Sequence, residues 1–261
     1  MSKKQRTLVQ RQFTKTLEAF SKHAVRDSPG DVQERTAFAR VQPGDVALDV
    51  ACGPGTFVLA LATSVKFTRG VDLTFAMLQR ARETQREKQI ANAAFDQGDA
   101  GQLPYPGGAF NLVTCQFAFH HMPKPQAAFA EMLRVCSPGG RLLVVDTIAP
   151  ESDEKWALQN RIQTIRDPSH TAALRLTSFL SMFDVAGVEI LRQSQKPRYS
   201  SFAEWMRRAG LDEAQPRFQE ARRLIEESMP SDSAGFSPRR QDGEIILTHY
   251  EGLFLLEKRA P

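Results

Sequence analysis

The sequence predicts an α/β chain built on a doubly wound, mostly parallel sheet, followed by a helical elaboration. Three short apolar runs, 45–51 (DVALDVA), 110–117 (FNLVTCQF) and 141–147 (RLLVVDT), read as strands buried on both faces. Segments with helical spacing separate the strands, as right-handed βαβ crossovers require. The first run enters Cys52-Gly53-Pro54-Gly55 directly, a tight turn between strand and helix.

The elements follow in order. After the glycine turn, 56–64 (TFVLALATS) is apolar all round and so packs on the sheet. A second strand at 66–72 (KFTRGVD) and a helix at 75–91 make the next βα unit, and 93–99 (AAFDQGD) makes a short third strand. The stretch LPYPGGA is turn-rich. Strand four is 110–117, and a helix over 125–135 starts on Pro125 and closes on Ser-Pro-Gly-Gly before strand five at 141–147. Beyond Pro150, 152–166 carries a Ser cap, acids in its first turn and Arg166 in its last. Helices are expected at 177–187, 201–209 and 214–229, and strands at 188–193 and 244–258. The expected organisation is one domain over 1–261, with N-terminal helices (1–40), a nucleotide-type half (41–150) and a lid with a C-terminal half (151–261).

Composition narrows the class. Apolar and charged fractions are those of a globular protein, and no run of about 18 apolar residues exists to span a bilayer. The basic N-terminus lacks the apolar core of a secretory signal. Cys52, Cys115 and Cys136 are odd in number and widely spaced, indicating neither disulfides nor zinc. A cytoplasmic protein without a metal is expected. The net charge of +4 is mild, and Lys3, Lys4, Arg6, Arg11 and Lys15 read as a solvated helix face.

Ligands of open parallel sheets sit outside the carboxyl ends of the strands. There, Gly53 and Gly55 let a ligand approach backbone, and Pro54 stiffens the turn. Asp72 ends the second strand, placed to accept from both hydroxyls of a ribose, and Asp99 ends the third, placed to accept from an exocyclic amine. Either could instead cap its loop, but in register with the glycines they point to an adenosine-containing ligand. A dinucleotide loop would carry a third glycine where Val58 stands. Asp49, inside an apolar strand, needs a partner to offset its desolvation.

The motifs LDVACGPG, VDLTFAMLQRARE, FDQGDAGQLPYPGGAFNLVTCQFAFHHM and RVCSPGGRLLVVD resemble those of class I S-adenosylmethionine-dependent methyltransferases, over about residues 35–150. Within them the chain is most similar to the ubiquinone/menaquinone-type small-molecule enzymes, although strand five ends VDTIAP and Ala51 stands at the usual first glycine. The resemblance implies a seven-stranded Rossmann-like sheet with an antiparallel last strand. By the same resemblance Asp49, Ala51, Gly53 and Gly55 surround the methionine moiety, and Asp72 holds the ribose. Leu73 and Met77 flank the adenine, Asp99 and Ala100 read its edge, Gln116 and Phe117 lie near the reactive methyl, and Phe20 with Ala24 close over the cofactor.

Methyl transfer needs in-line positioning and, for a hydroxyl or acidic carbon, a base. His120 and His121, after strand four, are the candidates, with a loop cap as the structural alternative. Arg166, His170 and Arg175 form a basic group suited to a carboxylate or phosphate on the substrate, or else partner helix dipoles. Trp156, Phe179, Met182 and Phe183 suit either an apolar pocket or core. Gln116-Phe117-Ala118-Phe119 replaces the N/D-P-P-Y/F motif common in enzymes methylating nucleic-acid bases, so the expected partner is a small-molecule methyl acceptor and no nucleic acid; a homodimer is compatible with this. A cofactor sensor without turnover and an NAD-linked oxidoreductase stand as alternatives.

Overall fold

The computed structural model describes residues 1–18, 28–185 and 187–260. Helices α1 (Lys3–Lys15) and α2 (Pro29–Phe38) precede β1 (Val46–Val50), α3 (Thr56–Leu61), β2 (Phe67–Asp72), α4 (Phe75–Glu87) and β3 (Ala93–Gln97). Strand β4 (Phe110–Gln116) leads through a 3-10 turn (Phe119–His121) to α5 (Pro125–Val135) and β5 (Cys136–Ile148). The chain continues as α6 (Asp153–Arg166), α7 (Leu176–Phe183), β6 (Val188–Ser201), α8 (Phe202–Arg207), α9 (Pro216–Ser228), β7 (Arg239–Gln241) and β8 (Glu244–Lys258).

The sheet order is β3-β2-β1-β4-β5-β8-β6, with β7 paired to β8 off that path. Strands β1 to β5 pair in parallel, and β8 is antiparallel to both β5 and β6. Strand order reverses between β1 and β4, which opens a crevice at their carboxyl ends. The class is therefore the doubly wound α/β sheet expected, with one strand more than the seven-strand expectation. The additional strand, β7, is short and exposed and folds onto β8 through Asp242-Gly243, both at positive φ, as a two-residue hairpin turn demands.

Two further boundaries differ for physical reasons. Strand β5 begins at Cys136, because Ser-Pro-Gly-Gly forms an irregularity within the strand: Phe110 pairs with Cys136 but Leu112 with Arg141. Strand β6 runs to Ser201, well beyond 193, since the long β8 supplies pairing as far as Ile246. As an edge strand with mostly exposed side chains, β6 shows little apolar periodicity.

One sheet face packs Phe119, Phe129, Met132, Phe179, Phe183 and Phe254; the other packs Phe38, Phe57, Leu61, Leu143 and Leu253. Phe179, Met182 and Phe183 of α7 are thus core, not pocket lining, because α7 lies against the sheet with those side chains inward. A separate cluster joins α8 and α9 to the amino-terminal half of β8 through Trp205, Phe218, Ile225, Ile245 and Leu247. The region after Pro150 accordingly has a core of its own.

Phe254 is buried where its ring meets Phe179 at 5.2 Å and Phe183 at 5.1 Å. Phe254→Ala is expected to cost about 3–5 kcal/mol, read as a lowered urea midpoint with unchanged slope.

Candidate active site

The crevice at the switch point is a cleft enclosing about 1010 Å³ of space, open solvent included. Its floor is the turn after β1. Ala51 adopts φ 57°, a left-handed conformation that costs a non-glycine residue about 1–2 kcal/mol, and Phe117 at the end of β4 does the same at φ 50°. Two such residues flanking one cleft mark a backbone shaped for a ligand.

Gly53 (φ 54°) faces open space where a Cβ would stand, and its N–H donates to Asp72 Oδ2 at 2.9 Å. Asp72 Oδ1 accepts from Thr74 N–H at 2.7 Å. Each carboxylate oxygen therefore holds a backbone donor, and the Thr74 hydroxyl and Leu73 N–H also bond to the same group. Burial pushes the Asp72 carboxyl above its ordinary range, against the backbone bonds that lower it. Asp49 is buried and accepts a hydrogen bond from the Thr114 hydroxyl.

Gln116 closes the cleft at the end of β4. Both its amide atoms are sealed from solvent and, among the described residues, have no hydrogen-bond partner. A buried amide left this way costs about 1–3 kcal/mol, so a polar ligand at this point gains by completing it.

The cleft gathers most of the sequence-derived set: Asp49, Ala51, Gly53, Asp72, Leu73, Met77, Asp99, Ala100, Gln116, Phe117 and His121 all line it. Gly55 does not. At φ 76°, a Cβ there would stand 2.7 Å from the Phe95 ring and 2.9 Å from Ala81, so this glycine lets α3 and α4 pack close to the sheet. Asp99 lines the cleft with its Oδ2 paired to Arg6 of α1 at 2.8 Å. Helix α1 covers the cleft through Val9 and Phe13, which sequence reading passed over although their four-residue spacing gives an apolar stripe on a basic helix. Phe20 and Ala24, expected to do this, lie outside the described residues.

Arg166, His170 and Arg175 do not form one basic group at the cleft. Arg166 Nε donates to the Trp205 carbonyl and its guanidinium covers that indole; Arg175 pairs with Asp153 and covers Trp156. His170 is buried beside His120 at 5.6 Å between ring centres. Both arginines lie against tryptophans of the C-terminal half because a guanidinium stacks well on indole.

The two histidines after β4 meet a third and two acids. His120 Nδ1 lies 2.6 Å from Asp146 Oδ1, and Asp146, buried in β5, also accepts from Phe119 N–H and Thr147 N–H. Those contacts hold the Asp146 carboxyl below its ordinary range despite burial. His121, its ring centre 4.2 Å from that of His120 and edge-on to Phe13, contacts Ser169 Oγ at 3.2 Å, and that hydroxyl donates to Asp167. Burial pushes His121 down to about 4 and His170 down to about 2. Among the described residues no three His, Cys, Asp or Glu side chains are arranged to hold a metal ion. Sequence reading missed Asp146 and Asp167; an acid at the carboxyl end of a central strand was the available signal for the first.

A family model for the methyltransferase domain matches residues 42–202. YcgJ of Bacillus subtilis (strain 168), described as a methyltransferase, is 31% identical over 201 residues, 76% of this chain and 78% of its own. A Bacillus halodurans C-125 structure superposes with TM-score 0.81 at 30% identity, covering 88% of this chain and 100% of that one. A demethylmenaquinone methyltransferase of Geobacillus sp. (strain WCH70) is 35% identical over 113 residues, 42% of this chain and about half (48%) of that relative's length. The chain belongs to the methyltransferase domain family. It is a class I S-adenosylmethionine-dependent methyltransferase, and neither the sensor nor the oxidoreductase alternative gains support from these relatives.

The neutral histidines make the fold acid-sensitive. An unfolded chain takes up a proton on each imidazole from about pH 6.5, whereas the folded chain resists until about 4 at His121 and about 2 at His170. Stability is full above pH 6.5 and falls on acidification, by on the order of 1 kcal/mol per pH unit per imidazole. Urea midpoints between pH 4.5 and 7.5 will show this slope, and His170→Asn will reduce it.

Proposed function

We propose that the cleft between β1 and β4 binds S-adenosylmethionine and that the chain methylates a small acceptor at oxygen or carbon. The carrying observation is Gln116, whose sealed carboxamide, without a partner among the described residues, lies in the same cleft as the Asp72 carboxylate. Asp72 holds the ribose hydroxyls, Leu73 and Met77 flank the adenine, and Ala100 and Asp99 border its edge. Asp49, Ala51 and the Gly53 backbone receive the methionine part, while Gln116 and Phe117 face the transferring group. When bound, the cofactor supplies an electrophilic methyl on a sulfonium.

The protein's own contribution is alignment and exclusion of water. Phe13 and Val9 cover the cleft, and Phe117 is held by its N–H bond to the Val145 carbonyl at 2.7 Å and by the Arg35 guanidinium over its ring. Such positioning accounts for most of what a displacement at carbon requires. His120 and His121 stand at the acceptor side as candidate bases. Residues 41–150 carry the cofactor, and 151–261, with a core of their own, form the acceptor half. The relatives acting on demethylmenaquinone support an apolar, ring-bearing acceptor. Three buried free cysteines suit a reducing cytoplasm.

Calorimetry is expected to give micromolar-range S-adenosylmethionine binding, weakened about 10–100-fold in Asp72→Ala by loss of hydrogen bonds to a charged acceptor. Labelled methyl should pass from the cofactor into a metabolite of a cell extract. Thermal stabilisation by NAD and none by S-adenosylmethionine would refute the assignment.

A further inference from the structure

We infer that Asp146 is a positioning residue that sets His120 as the general base of this site, and that the acceptor is consequently a group that must lose a proton, a phenolic or enolic hydroxyl in particular. The inference deepens the methyl-transfer reading and rests on it.

Hydrogen bonding separates the three imidazoles. His170 Nε2 contacts Asn160 Oδ1 at 2.7 Å, and that oxygen also accepts from Ala173 N–H, so the imidazole donates there. The Ser169 hydroxyl is committed to Asp167, so His121 donates through Nδ1 to Ser169 Oγ. Neither contact is with a carboxylate, and burial makes both rings poor proton acceptors at neutral pH.

His120 differs in partner and in access. Its Nδ1 faces the Asp146 carboxylate, whose oxygens are acceptors only, so the neutral ring carries its proton on Nδ1 and leaves Nε2 as the basic atom. Its side chain keeps 16% of its surface, whereas Asp146 keeps 1%. Its ring lies against that of His121, which lines the cofactor cleft, at an interplanar angle of 46°, and its carbonyl accepts from Thr171 and Ala172 N–H, fixing the turn. The groups facing it are Asp146 from β5, His121 from its own turn and His170 from the loop after α6.

The step balances as follows. His120 Nε2 takes the acceptor's O–H proton as an oxygen lone pair forms the O–CH3 bond. The CH3–S bond breaks with its electron pair going to sulfur, which becomes a neutral thioether, and the proton later leaves the imidazolium for solvent. An amine free base offers its lone pair without prior loss of a proton and needs no such base.

The test uses the full-length protein, with phenols of graded acidity as acceptors. 15N NMR of the His120 ring should show the neutral wild-type tautomer protonated on Nδ1, with Asp146→Glu keeping that form, while Asp146→Asn, whose amide oxygen can still accept there, removes the carboxylate charge. S-adenosylmethionine affinity should stay within about twofold in Asp146→Asn and His120→Gln, with kcat for phenol methylation falling about 100-fold. The loss should shrink for the most acidic phenols and at high pH, where the hydroxyl is already ionised. A wild-type His120 ring protonated on Nε2, or wild-type transfer by His120→Gln, overturns the assignment of the base. Wild-type protein that binds the cofactor but methylates amines and none of the phenols overturns the acceptor class. Failure of the wild type to bind S-adenosylmethionine would instead overturn the underlying methyl-transfer reading, so the two failures are distinguishable.

Discussion

The Asp72 carboxylate ties the cofactor cleft together. One oxygen takes the Gly53 N–H from the loop after β1, and the other takes the Thr74 N–H that opens α4. Two separate βα turns are thus locked to one side chain at the crevice where strand order reverses. Hydrogen bonds to a charged group contribute about 1.5–3 kcal/mol each, and here they offset part of the cost of burying that charge, which still holds the carboxyl above its ordinary range. They add to the Cys52 N–H bond to the Val71 carbonyl in fixing the Gly53 loop against β2.

The strain around this anchor is consistent with it. Ala51 and Phe117 both hold left-handed backbone in the lining of the cleft, and Phe117 is fixed there by its surroundings. The Phe117 N–H is bonded to β5 and its ring lies 5.0 Å from the buried Arg35 guanidinium. Gly55 beneath the loop permits the close approach of Phe95 and Ala81 that seats the following helices. Packing below the loop therefore stabilises a geometry above it that local preference disfavours.

The imidazole cluster applies the same logic to protons. Three rings gather within about 6 Å of one another, yet they differ in what each nitrogen meets. Burial keeps His121 and His170 neutral and costs the fold its acid tolerance, whereas His120 faces a carboxylate in β5. Segment 167–173 delivers Asp167, Ser169 and His170 to that cluster, which gives the IRDPSH stretch a place in the site although it lies outside the nucleotide-type half.

Much of this was legible in residue order. Periodicity placed β1 to β5 and β8, because a buried strand or a helix face is set by neighbours a few positions away. The glycine loop, Asp72 and Gln116 were legible because strand ends in an open sheet lie at one edge. Edge strand β6 and hairpin β7 were not, since exposed strands carry no apolar pattern and owe their pairing to β8. Arg166 and Arg175 shared a sequence neighbourhood with His170, but each found a tryptophan to cover and left it alone near the site. The sequence by itself determined the sheet, the cofactor loop and the chemistry at its edge. Tertiary structure alone decided which histidine meets Asp146, because that contact joins residues 26 positions apart through the pairing of β4 with β5.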